Sequence, residues 1–292
     1  MTEQSWTVKD KVCVVTGGNS GIGLHAAIGL ARQGARVAIV SRDRAKGEAA
    51  LAELKEKAQV DQADLIVGDL GSLAQVRALA QEVLGRYPRL HVLVNNAGLW
   101  MTERKLTPDG LETTFAVNHL GPFLLTNLLL ERLVESAPAR IVNVSSAGHA
   151  QGRIAWDDLQ SERRFGKVQA YCDSKLMNVL FTRELARRLE GTGVTANALH
   201  PGVVNTNLSS NSTGLMRFFW DLLAPIFFIS PEKGARTTLH VATSPALEGV
   251  SGKYFSASRE KTPARAARSD EDARRLWEVS ERLAGLAVAA AS

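Results

Sequence analysis

The chain has 292 residues, 45% of them apolar and 22% charged, enough for one large water-soluble domain with a full core. Its net charge of +5 comes from 35 basic and 30 acidic residues that are interleaved, as in Arg268-Ser269-Asp270-Glu271, which argues against a nucleic-acid partner. Cys13 and Cys172 form no C-x-x-C pair, the six histidines show no metal-ligand spacing, and residues 1–10 contain neither a secretory signal nor a transmembrane anchor, so a cytoplasmic protein without disulfides or a metal site is expected.

From the N-terminus, the β-branched run 12–15 reads as a strand and 22–33 as a helix. Between them lies Thr16-Gly17-Gly18-Asn19-Ser20-Gly21-Ile22-Gly23. Gly17 permits a tight turn, Gly21 lets backbone amides approach a pyrophosphate, and Gly23 permits close helix packing. The helix start then offers free N–H groups and a positive dipole end to phosphates. A glycine turn of purely structural purpose is the other reading. A second strand at 36–41 runs into Ser41-Arg42-Asp43 and a helix at 44–57. An NAD enzyme usually ends this strand on a carboxylate that holds the ribose hydroxyls. Ser41 leaves the place uncharged, and the planar fork of Arg42 suits a 2′-phosphate, so NADP(H) is expected over NAD unless Arg42 is only a surface cation.

The third strand, 65–69, leads through Asp69 and Leu70 to a helix at 72–85. The Asp69 carboxylate either accepts from an adenine amino group or caps that helix. A strand at 92–95 ends on Asn95-Asn96-Ala97-Gly98, whose small residues let the backbone pass close to a cofactor, while the asparagines are equally suited to bracing strand ends. The helical stretch 108–136 holds Asn118 and the apolar Phe123, Leu124, Leu125, Leu128, Leu129 and Leu130. It is too greasy all round for an exposed helix, so burial or a homodimer contact is expected. Strands at 140–145, 195–199 and 253–256 and helices at 168–190 and 231–243 complete the pattern. The alternation predicts a single α/β domain over 1–292: a Rossmann-type, doubly wound parallel sheet of about seven strands with helices on both faces. Residues 1–10 form an N-terminal extension and 269–292 a C-terminal helix and tail. Ligands of such sheets bind beyond the carboxyl ends of the strands, where Thr16, Ser41, Asp69, Asn95 and Ser145 all fall.

Tyr171 and Lys175 stand four apart in a helical pattern, so both project from one face. To act as acid and base near neutrality, a tyrosine with an ordinary pKa of about 10 must drop by roughly 3, or about 4 kcal/mol. The charge of Lys175 favours the phenolate, and an oxidised nicotinamide ring adds to it. Ser146, closing Ile141-Val142-Asn143-Val144-Ser145-Ser146, can donate to a substrate oxygen.

Together these motifs resemble the short-chain dehydrogenase/reductase family over nearly the whole chain. Thr16 to Gly23 matches its TGxxxGxG turn, Asn95 to Gly98 its NNAG segment, Tyr171 and Lys175 its YxxxK pair, and His200-Pro201-Gly202 its PG segment. The resemblance implies a catalytic set of Asn118, Ser146, Tyr171 and Lys175. Tyr171 handles the proton, Lys175 holds the nicotinamide ribose, Ser146 orients the oxygen, and Asn118, in a kinked helix, positions a water. It also implies cofactor contacts from Gly17, Asn19, Ser20, Gly21, Ile22, Gly23, Ser41, Arg42, Asp69, Leu70, Asn96, Ala97, Gly98, Tyr171, Lys175, Pro201, Gly202, Val204 and Thr206. Longer stretches, including Asn118-His119-Leu120-Gly121 and Glu135-Ser136-Ala137-Pro138-Ala139-Arg140, resemble the retinol dehydrogenase branch. That branch mostly uses NADP on retinoids or other lipophilic carbonyls and is often membrane-anchored. The apolar segment 205–230 is expected to cover a small lipophilic substrate, or to pack on the core, and peripheral membrane contact is expected there if anywhere. Two other readings stay open: an NADP(H) sensor without turnover, and an enzyme like the light-dependent protochlorophyllide reductases.

Overall fold

The computed structural model describes residues 6–202 and 230–286. Eight strands form one sheet: β1 (Val12–Thr16), β2 (Arg36–Ser41), β3 (Ala63–Val67), β4 (Val92–Asn95), β5 (Ala139–Val144), β6 (Val194–His200), β7 (Tyr254–Ser256) and β8 (Arg259–Lys261). Their spatial order is β3-β2-β1-β4-β5-β6-β7-β8, parallel throughout except for β8, which runs antiparallel to β7. The chain order reverses between β1 and β4, which opens a crevice at their carboxyl ends.

The strands read as continuous apolar runs because both sheet faces are covered. Within β1, Cys13 and Val15 point into one core and Val14 into the other, as the two-residue period of a strand requires. On the Cys13 side lie α1 (Gly21–Arg32), α2 (Arg44–Ala58) and α7 (Pro231–Thr243). On the Val14 side lie α3 (Leu73–Arg86), α5 (Gly121–Glu135), α6 (Lys167–Arg188) and α8 (Asp270–Leu283). The residues just before β1 join the first of these cores: Trp6 and Val8 are buried, and the Trp6 indole donates to the Ala242 carbonyl at 3.0 Å.

Three expectations are corrected. The sheet has an eighth strand, whose fully exposed Arg-Glu-Lys sequence carries no apolar alternation by which to recognise it. The third strand spans 63–67, so Gly68 and Asp69 lie past its end, although Gly68 N still donates to Ser41 O at 3.0 Å. The stretch 108–136 is not one helix: a short α4 (Thr113–Phe115) passes into a π-helical turn, Ala116–Leu120, before α5 begins. Inside α5, Phe123, Leu124, Leu125 and Leu129 are fully buried within the chain itself. Their outer neighbour is α8, whose Trp277 ring meets Phe123 edge-on at 4.9 Å and Phe181 of α6 at 5.9 Å.

Candidate functional site

The glycine turn and the loop after β4 are knitted together across the crevice. Thr16 Oγ1 accepts from the amides of Asn96 and Ala97 at 3.0 and 3.1 Å, and Asn96 Nδ2 donates to Thr16 O at 2.9 Å. Gly17 has φ +64°, the left-handed region that favours glycine, and a Cβ there would lie 2.9 Å from Ala97 Cα. A Cβ on Gly23 would meet the Gly17 carbonyl oxygen, so α1 closes onto the turn only because this residue has no side chain. Both asparagines therefore brace. Asn95, the deeper one, donates to Thr126 Oγ1 and Asn143 Oδ1 at 2.9 and 2.8 Å.

The N-terminus of α1 is set up differently from those of α2, α3, α7 and α8, which Asp43, Ser72, Ser230 and Ser269 cap with their side chains. Ser20 stands at the same position before α1, yet its side chain makes no capping bond, and no acidic residue occupies the first turn. The first intrahelical bond is Leu24 N to Ser20 O, so the amides of Gly21, Ile22 and Gly23 face outward with the helix dipole behind them. Such an end fits a phosphate group. Asn19 and Ile22 flank it half-buried, with Ser20 exposed.

At the end of β2, Ser41 is buried and its hydroxyl donates to Asp43 O at 2.8 Å, which braces the turn into α2. The Asp43 carboxylate accepts from Lys46 N at 3.0 Å and is thereby committed to capping α2. Arg42 is exposed. The reading of Asp69 as a helix cap does not apply: Ser72 caps α3, and Asp69 Oδ1 instead accepts from Gly71 N at 2.8 Å. Leu70 is buried in the core.

Beyond β4 and β5 the chemistry-bearing side chains converge. Lys175 is buried, and its Nζ donates to Val144 O at 3.1 Å. Ser145 Oγ donates to Lys175 O at 2.7 Å, so α6 is stitched to the end of β5. Tyr171, one turn earlier, has the Ser146 hydroxyl in its neighbourhood, and its ring centroid lies 5.6 Å from Lys175 Nζ. Asn118 sits in the π-helical turn with no exposure; its Oδ1 accepts from Leu99 N at 2.7 Å while Nδ2 donates to Leu99 O and Ser174 Oγ. Such turns often mark functional positions because they push one residue out of helical register. A Cβ on Gly98 would lie 3.1 Å from Lys175 Nζ and 3.4 Å from Asn118 Oδ1, so glycine keeps the floor between them open. Pro201 and Gly202 follow β6 half-buried, with Gly202 N donating to His200 Nδ1 at 3.0 Å. Val204, Thr206 and the expected substrate-covering segment 205–230, except for Ser230, lie outside the described residues.

The electrostatics depart from the sequence expectation. Burial pushes the Tyr171 phenol above its ordinary value, the hydrogen bond from Ser146 pulls it down, and the neighbouring Cys172 pushes it further up. Burial also lowers Lys175 to about 8. Desolvation of the phenol, the largest cause, acts in the direction opposite to the one that the four-residue spacing of Lys175 suggests. Two side chains at this site were not assigned a role at the tyrosine by sequence reasoning. Trp100, in the loop after β4, stacks on the Tyr171 ring at 5.4 Å with an interplanar angle of 19°. His149 lies behind Ser146, its ring in contact with the Ser146 carbonyl.

Comparison with known proteins agrees with this architecture. The family model of the short chain dehydrogenases matches residues 11–214. Retinol dehydrogenase 12 of Mus musculus is 50% identical over 279 residues, covering 96% of this chain and 88% of its own length. Retinol dehydrogenase 14 of Homo sapiens is 47% identical, covering 94% of this chain and 87% of its own length. Among solved structures, an uncharacterized protein from Mycobacterium Paratuberculosis superposes with a TM-score of 0.78 at 34% identity, over 97% of this chain and 98% of its own. The Pseudomonas aeruginosa RhlG/NADP active-site complex gives a TM-score of 0.69 at 26% identity, over 85% and 95% of the two chains. The chain therefore belongs to the short-chain dehydrogenase/reductase family, as an oxidoreductase related to the retinol dehydrogenases.

Proposed function

We propose that this protein is an NADP-dependent oxidoreductase that interconverts a lipophilic carbonyl compound and its alcohol, with Tyr171 as general acid and base. The observation that carries the reading is the convergence of Ser146, Tyr171 and Lys175 beside an uncapped glycine turn. The amides at the start of α1 would hold the pyrophosphate, Arg42 the 2′-phosphate, and Lys175 with the Asn96-Ala97-Gly98 loop the nicotinamide half. When bound, NADP(H) would supply or accept the hydride, and its oxidised form would add positive charge to the site. NADP over NAD is supported by the exposed Arg42 and by the Asp43 carboxylate being spent on α2. The RhlG structure named above was determined with NADP, and that of an actinorhodin polyketide ketoreductase, 29% identical, with NADPH.

In the reducing direction negative charge grows on the substrate oxygen. The Ser146 hydroxyl donates to that oxygen, and Tyr171 hands it the phenolic proton. A phenol held above its ordinary value carries this proton at neutral pH, which suits reduction. Lys175, at about 8, is mostly charged there and stabilises the phenolate left behind. A lipophilic substrate is supported by the relatives named retinol dehydrogenases and by the flat Trp100 face against the tyrosine.

The test is NADPH consumption with all-trans-retinal, long-chain aldehydes and aromatic ketones, in wild type and Tyr171→Phe. The variant is expected to lose about 10²-fold or more of its turnover while NADPH affinity stays within about twofold. Near-normal activity in the variant refutes the role of Tyr171. Silence of the wild type across the panel, with NADPH bound, favours a sensor without turnover.

A further inference from the structure

The environment of His149 is unusually complete for a residue with no expected role. It is buried, three residues after Ser146 in the 3-10 turn Ala147–Gln151. Its Nδ1 lies 2.7 Å from the Ser146 carbonyl oxygen, and its Nε2 lies 3.2 Å from the Ala264 amide nitrogen. An amide can only donate, so Nε2 is the unprotonated nitrogen and Nδ1 carries the hydrogen that Ser146 O accepts. The Tyr254 hydroxyl on β7 stands 3.4 Å from the same Nδ1, and the two rings pack at 4.7 Å. One imidazole thus ties together the loop after β5, strand β7 and the segment that follows β8.

From this geometry we infer that His149 is a positioning residue for the proposed reaction, holding the Ser146 backbone so that its hydroxyl stays aimed at Tyr171. The other restraints on Ser146 are local: its carbonyl also accepts from the His149 amide at 3.1 Å, and its Oγ accepts from Gly148 N at 3.2 Å, so the imidazole is what links this carbonyl to β7 and to the segment after β8. A serine free to rotate or shift loses its alignment with the substrate oxygen and with the phenol beside it. His149 is suited to a fixed role because burial depresses its pKa and keeps it neutral. The titratable groups facing this assembly are Tyr254 on β7, His200 at the end of β6, and Cys172 and Lys175 with Tyr171 on α6. Cys172 and Tyr254 are held protonated by burial, and His200 is kept neutral by burial and by His149, so none of them replaces the link to Ser146.

The inference rests on the functional reading above and is tested in the full chain with NADP(H). In wild type, nitrogen-15 NMR of the histidines at neutral pH is expected to show His149 as the neutral Nδ1–H tautomer; an Nε2–H tautomer or an imidazolium overturns the proposal. His149→Leu is expected to lower kcat for alcohol oxidation about tenfold or more with KM nearly unchanged. Its pH profile should move to higher pH, because loosening Ser146 raises the Tyr171 pKa. His149→Gln, which keeps an N–H donor, is expected to recover most of both effects. In a Ser146→Ala background, His149→Leu is expected to shift the profile no further, since the two act through one bond. A folded His149→Leu protein with unchanged kcat and profile overturns the inference. If that variant does not fold, a His149→Gln protein with a dead or wild-type-independent profile does the same. Turnover that survives Tyr171→Phe sinks the functional reading instead, so the two failures are distinguishable.

Discussion

At the residue scale, the site separates side chains that reach into the crevice from those that hold its walls. Asn95, Asn96, Ser41 and Asp43 all stand where a ligand contact is chemically plausible, and all four are engaged with the protein. Arg42, exposed between two engaged neighbours, makes no ion pair among the described residues and keeps its guanidinium for solvent or ligand. Arg42→Ala is therefore expected to raise KM for NADPH about tenfold or more, the loss of one charge-assisted contact, while KM for NADH stays within about twofold. Steady-state kinetics with both cofactors decides it, and an equal rise for the two would show that Arg42 does not read the 2′-phosphate. The expectation of this preference came from a missing carboxylate and a present arginine in the sequence. The diversion of Asp43 into a helix cap was not, because Asp before a helix and Asp beside a ribose look alike in a string of letters.

At the element scale, the C-terminal helix α8 does more than close the fold. Its Trp277 is buried between Phe123 of α5 and Phe181 of α6, with the Arg188 guanidinium 4.3 Å from the indole. The same helix supplies Ser280, whose hydroxyl lies 2.8 Å from His119 Nε2 in the π-helical turn that carries Asn118. Removing the indole leaves a large cavity between three helices. Trp277→Ala is expected to cost about 3–5 kcal/mol, read from urea unfolding, as is usual for truncating a buried aromatic. A loss below about 1 kcal/mol would mean that α8 is only loosely docked. The greasy circumference of 108–136 was visible in sequence. Its explanation by α8, more than 130 residues downstream, needed the chain to be folded.

At the scale of the whole molecule, buried histidines connect stability to pH. His119 is fully buried and depressed to about 3, and His91, which accepts from Val12 N, is depressed to about 4. Desolvation is the main cause in both. Their folded pKa values lie below the unfolded value of about 6.5, so on acidification the unfolded chain takes up protons first. Stability present above about pH 6.5 is then lost progressively as pH falls through about 4 and about 3. Calorimetry should show Tm falling over this window, and His119→Phe, which cannot titrate, should flatten the slope. The variant leaves the Ser280 hydroxyl without its partner, at about 1 kcal/mol independent of pH. Identical slopes in the two proteins would remove His119 from the acid limb.

What could be read from the sequence was what repeats or clusters locally. Apolar runs of strand length alternating with helical stretches announce a doubly wound sheet, because backbone geometry imposes periods of two and 3.6 residues wherever one face must be buried. The glycine turn and the Tyr171–Lys175 pair were legible for the same reason, since their geometry is set within a few residues. The tertiary structure alone decided everything that depends on distant groups meeting. It placed β1 beside β4 to open the crevice, and it bent Asn118 into a π-helical turn. It brought Ala264 and Tyr254 to His149 across more than a hundred residues. It also reversed the sign of the shift at Tyr171, because a charge four residues away is visible in the sequence, whereas the loss of water around a phenol exists only once the chain has closed over it.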